Sequence, residues 1–522
     1  MKAITNITYV RFALFAFVCF AFSPQARATC LQGCDTDKGN TFLGDDALSS
    51  NTTGGGNTAT GWFALLRNTT GNDNTATGGL VLQYNTTGEA NTGTGVAALE
   101  FNTTGIHNTA TGVGALGFNT TGNSNTATGW GALTNNTTGG DNTAEGTNAL
   151  LSNTTGFGNT AIGFSALVEN TTGGSNTAAG ESALSGNTTG NNNTAMGLFA
   201  LFSNTIGSGN TANGVASLVN NTTGTNNTAE GQNALSGRIS GLTGSNNTAA
   251  GVSALQNETT GNNNTASGAN ALFSNTTGNN NTANGFDALF SNTTGIKNTA
   301  SGVNALQNNT TGGNNIALGQ AAGVNLTTGN ANIDIGNAGV AAEAKTIRIG
   351  TTGTQTNAYV AGISGVTVAG GVAVIVDTSG HLGTVVSSER FKDAIMPMDK
   401  ASEAILRLKP VTFRYKHDLD PDGMRQFGLV AEQVEKVNPD LVARDEQGKP
   451  YTVRYEAVNA MLLNEFLKEH KAFVEEQHKV DEQGATITRL EKQVETLNAG
   501  LQKVSAQLGL GESAPQTVLN NR

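Results

Sequence analysis

The hydrophobic residues of this chain recur with a period of 17 residues over most of its length. The unit at 57–73 reads Asn-Thr-Ala-Thr-Gly-Trp-Phe-Ala-Leu-Leu-Arg-Asn-Thr-Thr-Gly-Asn-Asp, and we number its positions 1 to 17 from Asn57. Eighteen such units lie within 40–340, with one insertion of three residues near 238–242. A short fixed period over this length predicts a solenoid. The strongest apolar position is position 9, which is Leu48, Leu65, Leu82, Leu99, Leu116, Leu133, Leu150, Leu167, Leu184, Leu201, Leu218, Leu235, Leu255, Leu272, Leu289 and Leu306.

Within one unit, the pattern predicts two corners and at least one strand. Asn-Thr-Ala-x at positions 1 to 4 favours a short strand, with Ala at position 3 and Leu at position 9 facing inward. Gly at position 5 tolerates positive φ, and Asn-Thr-Thr-Gly at positions 12 to 15 is typical of a turn. The Ala-Leu segment at positions 8 and 9 is a second strand or one helical turn. We therefore predict a mainly β fold, a β-solenoid (β-roll) shaft over 40–340.

A single coil of this kind offers little apolar surface. Ala and one Leu in 17 residues hardly offset the entropy that is lost when the backbone is ordered. This argues that three chains wrap together and share their apolar sides. The unit resembles the head repeats of trimeric bacterial adhesins, whose N-[ST]-A-x-G coils build left-handed β-rolls.

After the repeats, the chain changes character twice. The segment 341–386 has short β-branched runs between glycines, at 345–350, 358–361 and 372–376, and predicts a β-rich connector. From 387 to 480 the sequence becomes charged and mixed, which predicts a small α/β domain. Its predicted elements are helices at 399–408 and 431–437, strands at 411–415 and 426–430, a hairpin of 441–444 with 451–454, and a long helix from about Glu456.

The last part of that helix has an apolar seam. Its residues are spaced alternately by three and four, which is the heptad spacing of a coiled coil. We predict the coiled coil at 481–510 and a tail at 511–522. The seam residues are Ile487, Leu490, Val494, Leu497, Leu501, Val504 and Leu508.

Residues 1–28 predict a secretory signal peptide. Lys2 and Arg11 precede the apolar run 12–22, and Ala26-Arg27-Ala28 has the small-x-small pattern of a cleavage site. An uncleaved membrane anchor is the alternative, although the run is short for a bilayer. Cleavage after Ala28 predicts a secreted chain that begins at Thr29 and has no membrane span. Its segment 29–39 carries Cys30 and Cys34, candidates for a disulfide within one chain or between chains.

Charge excludes one class of partner. The net charge is −11, and no cluster of ligands accompanies the two cysteines, so we expect neither a nucleic-acid partner nor a metal or cofactor. The basic residues between Asn40 and Val386 are Arg67, Arg238, Lys297, Lys345 and Arg348.

The Asn-Thr-Thr triplets, such as those at Asn68, Asn102 and Asn153, are either glycosylation sequons or turn residues. The ranks of Thr along the repeat raise the alternative of an ice-binding face.

One hexapeptide carries candidate chemistry. Residues 387–392 are Ser-Ser-Glu-Arg-Phe-Lys, in which a serine hydroxyl is followed by a lysine. A lysine amine serves as the base for a hydroxyl nucleophile when it is neutral, and burial or a nearby cation such as Arg390 favours that state. A serine that caps a helix ahead of solvated charges is the alternative interpretation.

Three separated segments resemble one family. The hexapeptide 387–392, the segment 427–439 (Phe-Gly-Leu-Val-Ala-Glu-Gln-Val-Glu-Lys-Val-Asn-Pro) and the segment 453–463, followed by a coiled coil, are similar to the S74 peptidase family. These domains are intramolecular chaperones of phage tail spikes and fibres, and the myelin regulatory factor has one too. The pattern S-[DS]-x-R-x-K implies Ser387 as nucleophile and Lys392 as base, with self-cleavage between Val386 and Ser387. Since Ser388 stands where Asp is commoner, the choice between the two serines stays open.

These observations predict a secreted, homotrimeric fibrous surface protein of adhesin or tail-fibre type. Its C-terminal domain would assemble the trimer and then cut itself off, as a self-cleaving serine peptidase with one turnover per chain. The predicted partners are two further copies of the chain and a cell-surface glycan or protein. The alternative is a polysaccharide-degrading spike, which needs two carboxylates at a set separation. The acids of the shaft, such as Glu145, Glu181, Glu230 and Asp287, are scattered.

Overall fold

The computed structural model describes residues 32–238, 241–363, 368–377, 379–445 and 447–509. The chain divides into two compact units, Met1–Ala358 and Tyr359–Arg522. The predicted signal peptide, Cys30 and the tail 511–522 lie outside the described residues, so the expectations about them stay predictions. Cys34 is described: it lies on the first strand and is exposed.

The first unit is a β-solenoid whose short strands form one sheet. β1 (Gln32–Asp35) is antiparallel to β2 (Asn40–Leu43), whereas each later strand is parallel to the strand one coil before it. Equivalent residues are in register, so Thr58 lies beside Thr75. The predicted mainly β solenoid is confirmed. Its further strands are β3 (Thr58–Thr60), β4 (Thr75–Thr77), β5 (Thr92–Thr94), β6 (Thr109–Thr111), β7 (Thr126–Thr128), β8 (Thr143–Glu145), β9 (Thr160–Ile162), β10 (Thr177–Ala179), β11 (Thr194–Met196), β12 (Thr211–Asn213), β13 (Thr228–Glu230), β14 (Thr248–Ala250), β15 (Thr265–Ser267), β16 (Thr282–Asn284), β17 (Thr299–Ser301), β18 (Ile316–Leu318), β19 (Ile333–Ile335) and β20 (Ile347–Ile349).

Three small or medium side chains of each coil fill the interior. In the coil that begins at Asn159, they are Ala161, Ala166 and Leu167, and all three are fully buried. Successive strand residues point to opposite faces, so Ala161 faces inward between Thr160 and Ile162. The predicted inner ranks of Ala and Leu are therefore confirmed.

Two ladders of buried asparagines complete the interior. The Nδ2 of Asn159, at position 1, donates to Gly173 O at 2.9 Å and to Asn142 Oδ1 of the preceding coil at 3.1 Å. The Nδ2 of Asn170, at position 12, donates to the same Gly173 O at 3.0 Å and to Asn153 Oδ1 at 2.8 Å. Because these amides satisfy one another, the coil closes its polar interior within one chain. The low apolar content of the repeat is therefore no reason for three chains to share a core.

The Ala-Leu half of the coil is neither a strand nor a helical turn. Its residues form a run of turns in which Ser165 and Leu167, at positions 7 and 9, have φ of 55° and 53°. The Leu167 N–H donates to Ala183 O of the next coil at 3.0 Å, so the turns are bonded between coils. A leucine in this left-handed region costs on the order of 1 kcal/mol, which the burial of its side chain offsets.

The two predicted corners are confirmed. Gly163 at position 5 has φ of 129°, and a Cβ there would lie 2.6 Å from Gly180 O, so a side chain does not fit. The asparagines of the second corner, including Asn68, Asn102 and Asn153, are fully buried and hydrogen-bonded. A buried amide is not accessible to glycosylation, so these sequons are turn residues in the folded shaft.

The shaft departs from the repeat at inward positions in two regions, near the insertion and at the last coils. Near the insertion, Leu242 bridges to Asn221 and takes the place of an asparagine in the second ladder. The next residue of that ladder is Glu258, also fully buried. At the last coils, Asp334 replaces the inward Ala of position 3, and burial raises its pKa to about 6. The following inward residue, Arg348, has its Nη2 2.7 Å from Glu343 Oε2.

Where the structure describes it, the second unit contains short strands, 3₁₀ helices and two α-helices. Most predicted elements are present, but 358–361 forms no strand, and the helix predicted at 399–408 is a 3₁₀ helix. Its described residues form three antiparallel strand pairs. The elements are β21 (Val374–Val376), β22 (Leu382–Thr384), 3₁₀ helices Glu389–Phe391 and Asp399–Arg407, β23 (Val411–Phe413), β24 (Gln426–Gly428), α1 (Ala431–Val437), 3₁₀ helix Pro439–Leu441, β25 (Val442–Arg444), β26 (Pro450–Val453) and α2 (Tyr455–Leu508).

A small core holds the start of α2 against the rest of this unit. Met461 of α2 is buried together with Ile405, Val434 and Val453. Further along α2 the predicted seam residues, from Ile487 to Leu508, are exposed, so the helix is confirmed while the coiled coil stays a prediction. Among the described residues, no helix combines the length and apolar content that crossing a bilayer requires.

Candidate functional site

A single helical turn brings the two predicted site residues together. The residues after Ser388 form the 3₁₀ helix Glu389–Phe391, and the Lys392 N–H donates to Glu389 O at 2.9 Å. This turn folds the lysine back toward the start of the segment. Its Nζ lies 3.2 Å from Ser387 Oγ, which is within the range for proton transfer between a nucleophile and its base.

The two adjacent serines have different surroundings. The hydrogen bond of the Lys392 amine goes to Ser387. Ser388 is the N-terminal capping residue of the 3₁₀ helix, and its side chain makes no capping bond. Its carbonyl accepts the Phe391 N–H at 3.0 Å. This geometry favours Ser387 as the nucleophile.

Solvent surrounds the pair in the single chain. Every residue of 387–392 is exposed, and Val386, whose carbonyl precedes the pair, is 56% exposed. The Arg390 guanidinium lies 4.6 Å from the centre of the Phe391 ring, a cation–π contact. The chain thus supplies the proximity of hydroxyl and amine, but within the single chain it does not bury the lysine.

A second serine–lysine contact was not predicted. Ser402 Oγ, which is buried, donates to Glu465 Oε1 and accepts hydrogen bonds from Asn464 Nδ2 at 2.7 Å and Lys468 Nζ at 3.2 Å. The hydrogen bond of Lys468, and then that of Ser402, lower the pKa of Glu465. Since the Ser402 hydroxyl is inside the unit and bonded to a carboxylate, this cluster fastens the 3₁₀ helix Asp399–Arg407 to α2. No local signal predicts it, because Ser402 and Glu465 are far apart in sequence.

Beside this cluster lies an open apolar groove. We define it by Leu408, Val411, Phe427, Leu429, Val458 and Leu462, which line it together with the ring of Tyr455. Phe427 is 77% exposed, which is unusual for an aromatic side chain in a folded domain. The Tyr455 hydroxyl accepts the Leu429 N–H at 3.1 Å and so holds the end of β24 against the start of α2.

The four acids considered for a glycosidase lie in four separate coils of the shaft. Glu145, Glu181 and Glu230 are exposed and lie in different coils. Asp287 accepts hydrogen bonds from Asn270 and Gln307 of the adjacent coils. Within the described ranges, no three His, Cys, Asp or Glu side chains gather as they would around a metal ion.

Comparison with known proteins finds a match for one part of the chain. A search of curated proteins gave no match. The family model Peptidase_S74, described as chaperone of endosialidase, matches residues 387–443. The match begins at Ser387, the serine that Lys392 contacts, and it ends within β25, before α2. By this match, the segment 387–443 at the C-terminal end of the chain is similar to the S74 peptidase family, the chaperone of endosialidase.

Proposed function

We propose that this chain is a secreted, homotrimeric surface fibre of tail-fibre or adhesin type, whose C-terminal unit guides trimer assembly and then cuts the chain between Val386 and Ser387. The observation that carries the proposal is the 3.2 Å contact between Lys392 Nζ and Ser387 Oγ at the first residue of the S74 match. The β-solenoid before it fits the shaft of such a fibre.

The proposed cleavage needs only groups of this chain and water. The neutral Lys392 amine takes the proton of Ser387 Oγ, and the oxygen attacks the carbonyl carbon of Val386. The C–N bond to Ser387 breaks, its nitrogen takes up a proton, and an ester joins Val386 to Ser387 Oγ. Water then hydrolyses the ester, which leaves a carboxylate on Val386 and a free amine on Ser387.

Assembly supplies what the single chain lacks. Ser387 and Lys392 are exposed in the single chain, so the burial that favours a neutral amine is missing there. Copies that pack over this segment would exclude water and favour the neutral amine. Cleavage is therefore expected only after the chains have associated.

The shaft explains why a chaperone is useful. Its coils have nearly the same sequence, so a shift of one chain by 17 residues against another preserves the pattern of apolar and polar residues. The repeat itself therefore defines the register between chains weakly. A C-terminal unit that joins the chains first fixes this register, and its removal makes the assembly irreversible.

Wild-type protein is expected to release a fragment that comprises residues 387–522. Ser387→Ala and Lys392→Ala should abolish the cut and leave full-length chains that still associate, because an unactivated hydroxyl is a poor nucleophile. Intact mass and N-terminal sequencing of purified protein measure this result. Ser388→Ala is the matched control and should cut normally. Cleavage in Ser387→Ala but not in Ser388→Ala would reverse the roles of the serines, and an uncut wild-type trimer would leave a chaperone without peptidase activity.

The trimer is expected to depend on α2. In Leu490→Asp with Leu497→Asp, charges occupy the seam, where burial without a partner is costly. Size-exclusion chromatography with light scattering should then report monomers. Glu491→Asp with Glu495→Asp, which alters residues beside the seam without a change of charge, should keep the trimer. A trimer that persists with both leucines replaced would show that other surfaces hold the chains.

A further inference from the structure

Two residues that follow the proposed cleavage site have a left-handed backbone. They are Ala394, with φ of 54°, and Asp399, with φ of 41°. A side chain makes this region unfavourable, so the conformation persists only where the surroundings hold it. Strained backbone of this kind clusters at active sites and switch regions. The segment 387–398 therefore leaves the 3₁₀ helix Asp399–Arg407 along a path that local preference alone does not produce.

Side chains of α2 hold the second of these residues. The carbonyl oxygen of Asp399 accepts hydrogen bonds from Lys468 Nζ at 2.6 Å and from Asn464 Nδ2 at 3.4 Å. The same Lys468 amine donates to Glu465 Oε1 at 2.7 Å and to the buried Ser402 Oγ at 3.2 Å. The anchor therefore acts on the backbone of Asp399, a residue that is otherwise exposed.

We propose that Lys468, together with Glu465 and Ser402, is a positioning residue for the self-cleavage. By holding the Asp399 carbonyl, it keeps the backbone there left-handed and sets the direction in which the segment 387–398 leaves the helix. The serine–lysine pair at the far end of this segment is thereby presented in one place. This inference rests on the proposed function and adds residues of α2 to the machinery that performs it.

The two lysines have opposite tasks. Lys392 has to be neutral to take the proton of Ser387. Lys468 works as an ammonium ion, because its three protons meet three acceptors, one of which is a carboxylate. Six residues join Lys392 to Asp399, so a different backbone direction at Asp399 displaces the serine–lysine pair. A displacement of about 1 Å is enough to slow a positioned reaction by about a hundredfold.

Removal of the Lys468 amine tests the anchor. In Lys468→Met, which keeps the length of the side chain, release of the fragment 387–522 per associated chain should slow at least about tenfold. Lys468→Arg keeps donors at the end of a long side chain and should retain most of the wild-type rate. Lys479→Met is the matched control, since Lys479 is exposed on the same helix and pairs with Glu476 at 3.5 Å. Pulse labelling during expression, read on denaturing gels, follows the release.

The backbone conformation at Asp399 is tested separately, in variants that keep the anchor. Glycine adopts positive φ without strain, whereas a β-branched residue such as valine strongly disfavours it. Asp399→Gly should therefore cut at nearly the wild-type rate, and Asp399→Val should cut slowly although Lys468 is intact.

A double variant distinguishes positioning from mere stabilisation. Lys468→Met with Asp399→Gly should cut faster than Lys468→Met alone, because glycine needs no anchor to adopt this conformation. If the cluster only stabilised the unit, the glycine would weaken the fold further and the double variant would cut more slowly. Circular dichroism and light scattering on the same samples report folding and association.

The outcomes separate this inference from the proposed function. Wild type that associates without release would overturn the self-cleavage and, with it, the positioning role. Release from Lys468→Met at the wild-type rate, in chains as folded and as associated as wild type, would overturn the positioning role alone. Equal rates for Asp399→Gly and Asp399→Val would do the same, because the backbone conformation would then not affect the cut.

Discussion

Asn159→Asp is expected to destabilise the solenoid by about 3–5 kcal/mol at neutral pH. The substitution keeps the shape of the side chain but replaces a buried donor by an oxygen. The Asn159 Nδ2 donates to Gly173 O and to Asn142 Oδ1, so the new carboxylate would face two acceptors. Thermal unfolding followed by circular dichroism should show a melting temperature lower by on the order of 10 °C.

Asn123→Asp is the matched control for this experiment. Asn123 is exposed at position 16, and its Oδ1 accepts the Ile106 N–H at 2.8 Å. An aspartate preserves that acceptor and keeps its charge in water, so the melting temperature should change little. If both variants melted together, the buried ladder would not be what stabilises the coil.

The period of the repeat was enough to predict the architecture. A rank such as Leu150, Leu167 and Leu184 is visible in the sequence because each coil places one residue directly above the last. The conformation of the Ala-Leu half was not predictable in the same way. Leucine disfavours positive φ, and only the fixed closure of the coil forces Leu167 to φ of 53°. Tertiary constraint therefore overrides a local preference there.

In the C-terminal unit, too, contacts between residues close in sequence were predictable, whereas contacts between distant residues were not. Ser387 and Lys392 are close in sequence, with one helical turn between them, and the resemblance to the S74 family implied the pair that the structure brings into contact. Ser402 and Lys468 come together only because α2 packs on the 3₁₀ helix Asp399–Arg407. Glu258 is visible in the sequence as a departure from the repeat, since it stands at position 12, where other coils have Asn. Its burial becomes evident only from the ladder of buried amides in the structure.

Glu258 shows when an acid fits into the asparagine ladder. Its Oε1 accepts the Gly261 and Thr259 N–H groups at 2.7 and 3.0 Å, and its Oε2 accepts Asn275 Nδ2 at 2.5 Å. In the preceding coil the ladder residue is Leu242 instead of an asparagine. Its side chain has no hydrogen-bonding group, so no amide oxygen of that coil's ladder residue faces the Glu258 carboxylate. Hydrogen-bond donors therefore surround the Glu258 carboxylate, whereas an aspartate in place of Asn159 would face acceptors. Burial nevertheless raises its pKa to about 7.

This raised pKa gives the stability of the shaft a defined pH dependence. Between the ordinary glutamate value of 4.5 and about 7, the folded chain holds a proton on Glu258 that the unfolded chain releases. The free energy of unfolding therefore falls as the pH rises through this window and is lowest above it. At about 1.4 kcal/mol per pKa unit, the contribution lost by pH 8 is about 3 kcal/mol. Glu100, whose pKa burial also raises to about 7, adds a loss of the same sign.

Glu258→Asn restores the residue that the ladder has elsewhere and should remove the Glu258 part of this dependence. At pH 8 the variant is expected to melt above wild type by on the order of 5 °C, and at pH 5 the two should nearly coincide. Melting curves at both values measure the difference, in which the effect of Glu100 cancels. Glu230→Asn, at an exposed position, should follow wild type at both. A stabilisation of Glu258→Asn that is equal at pH 5 and pH 8 would mean that Glu258 titrates outside this window and that packing, not charge, limits the coil.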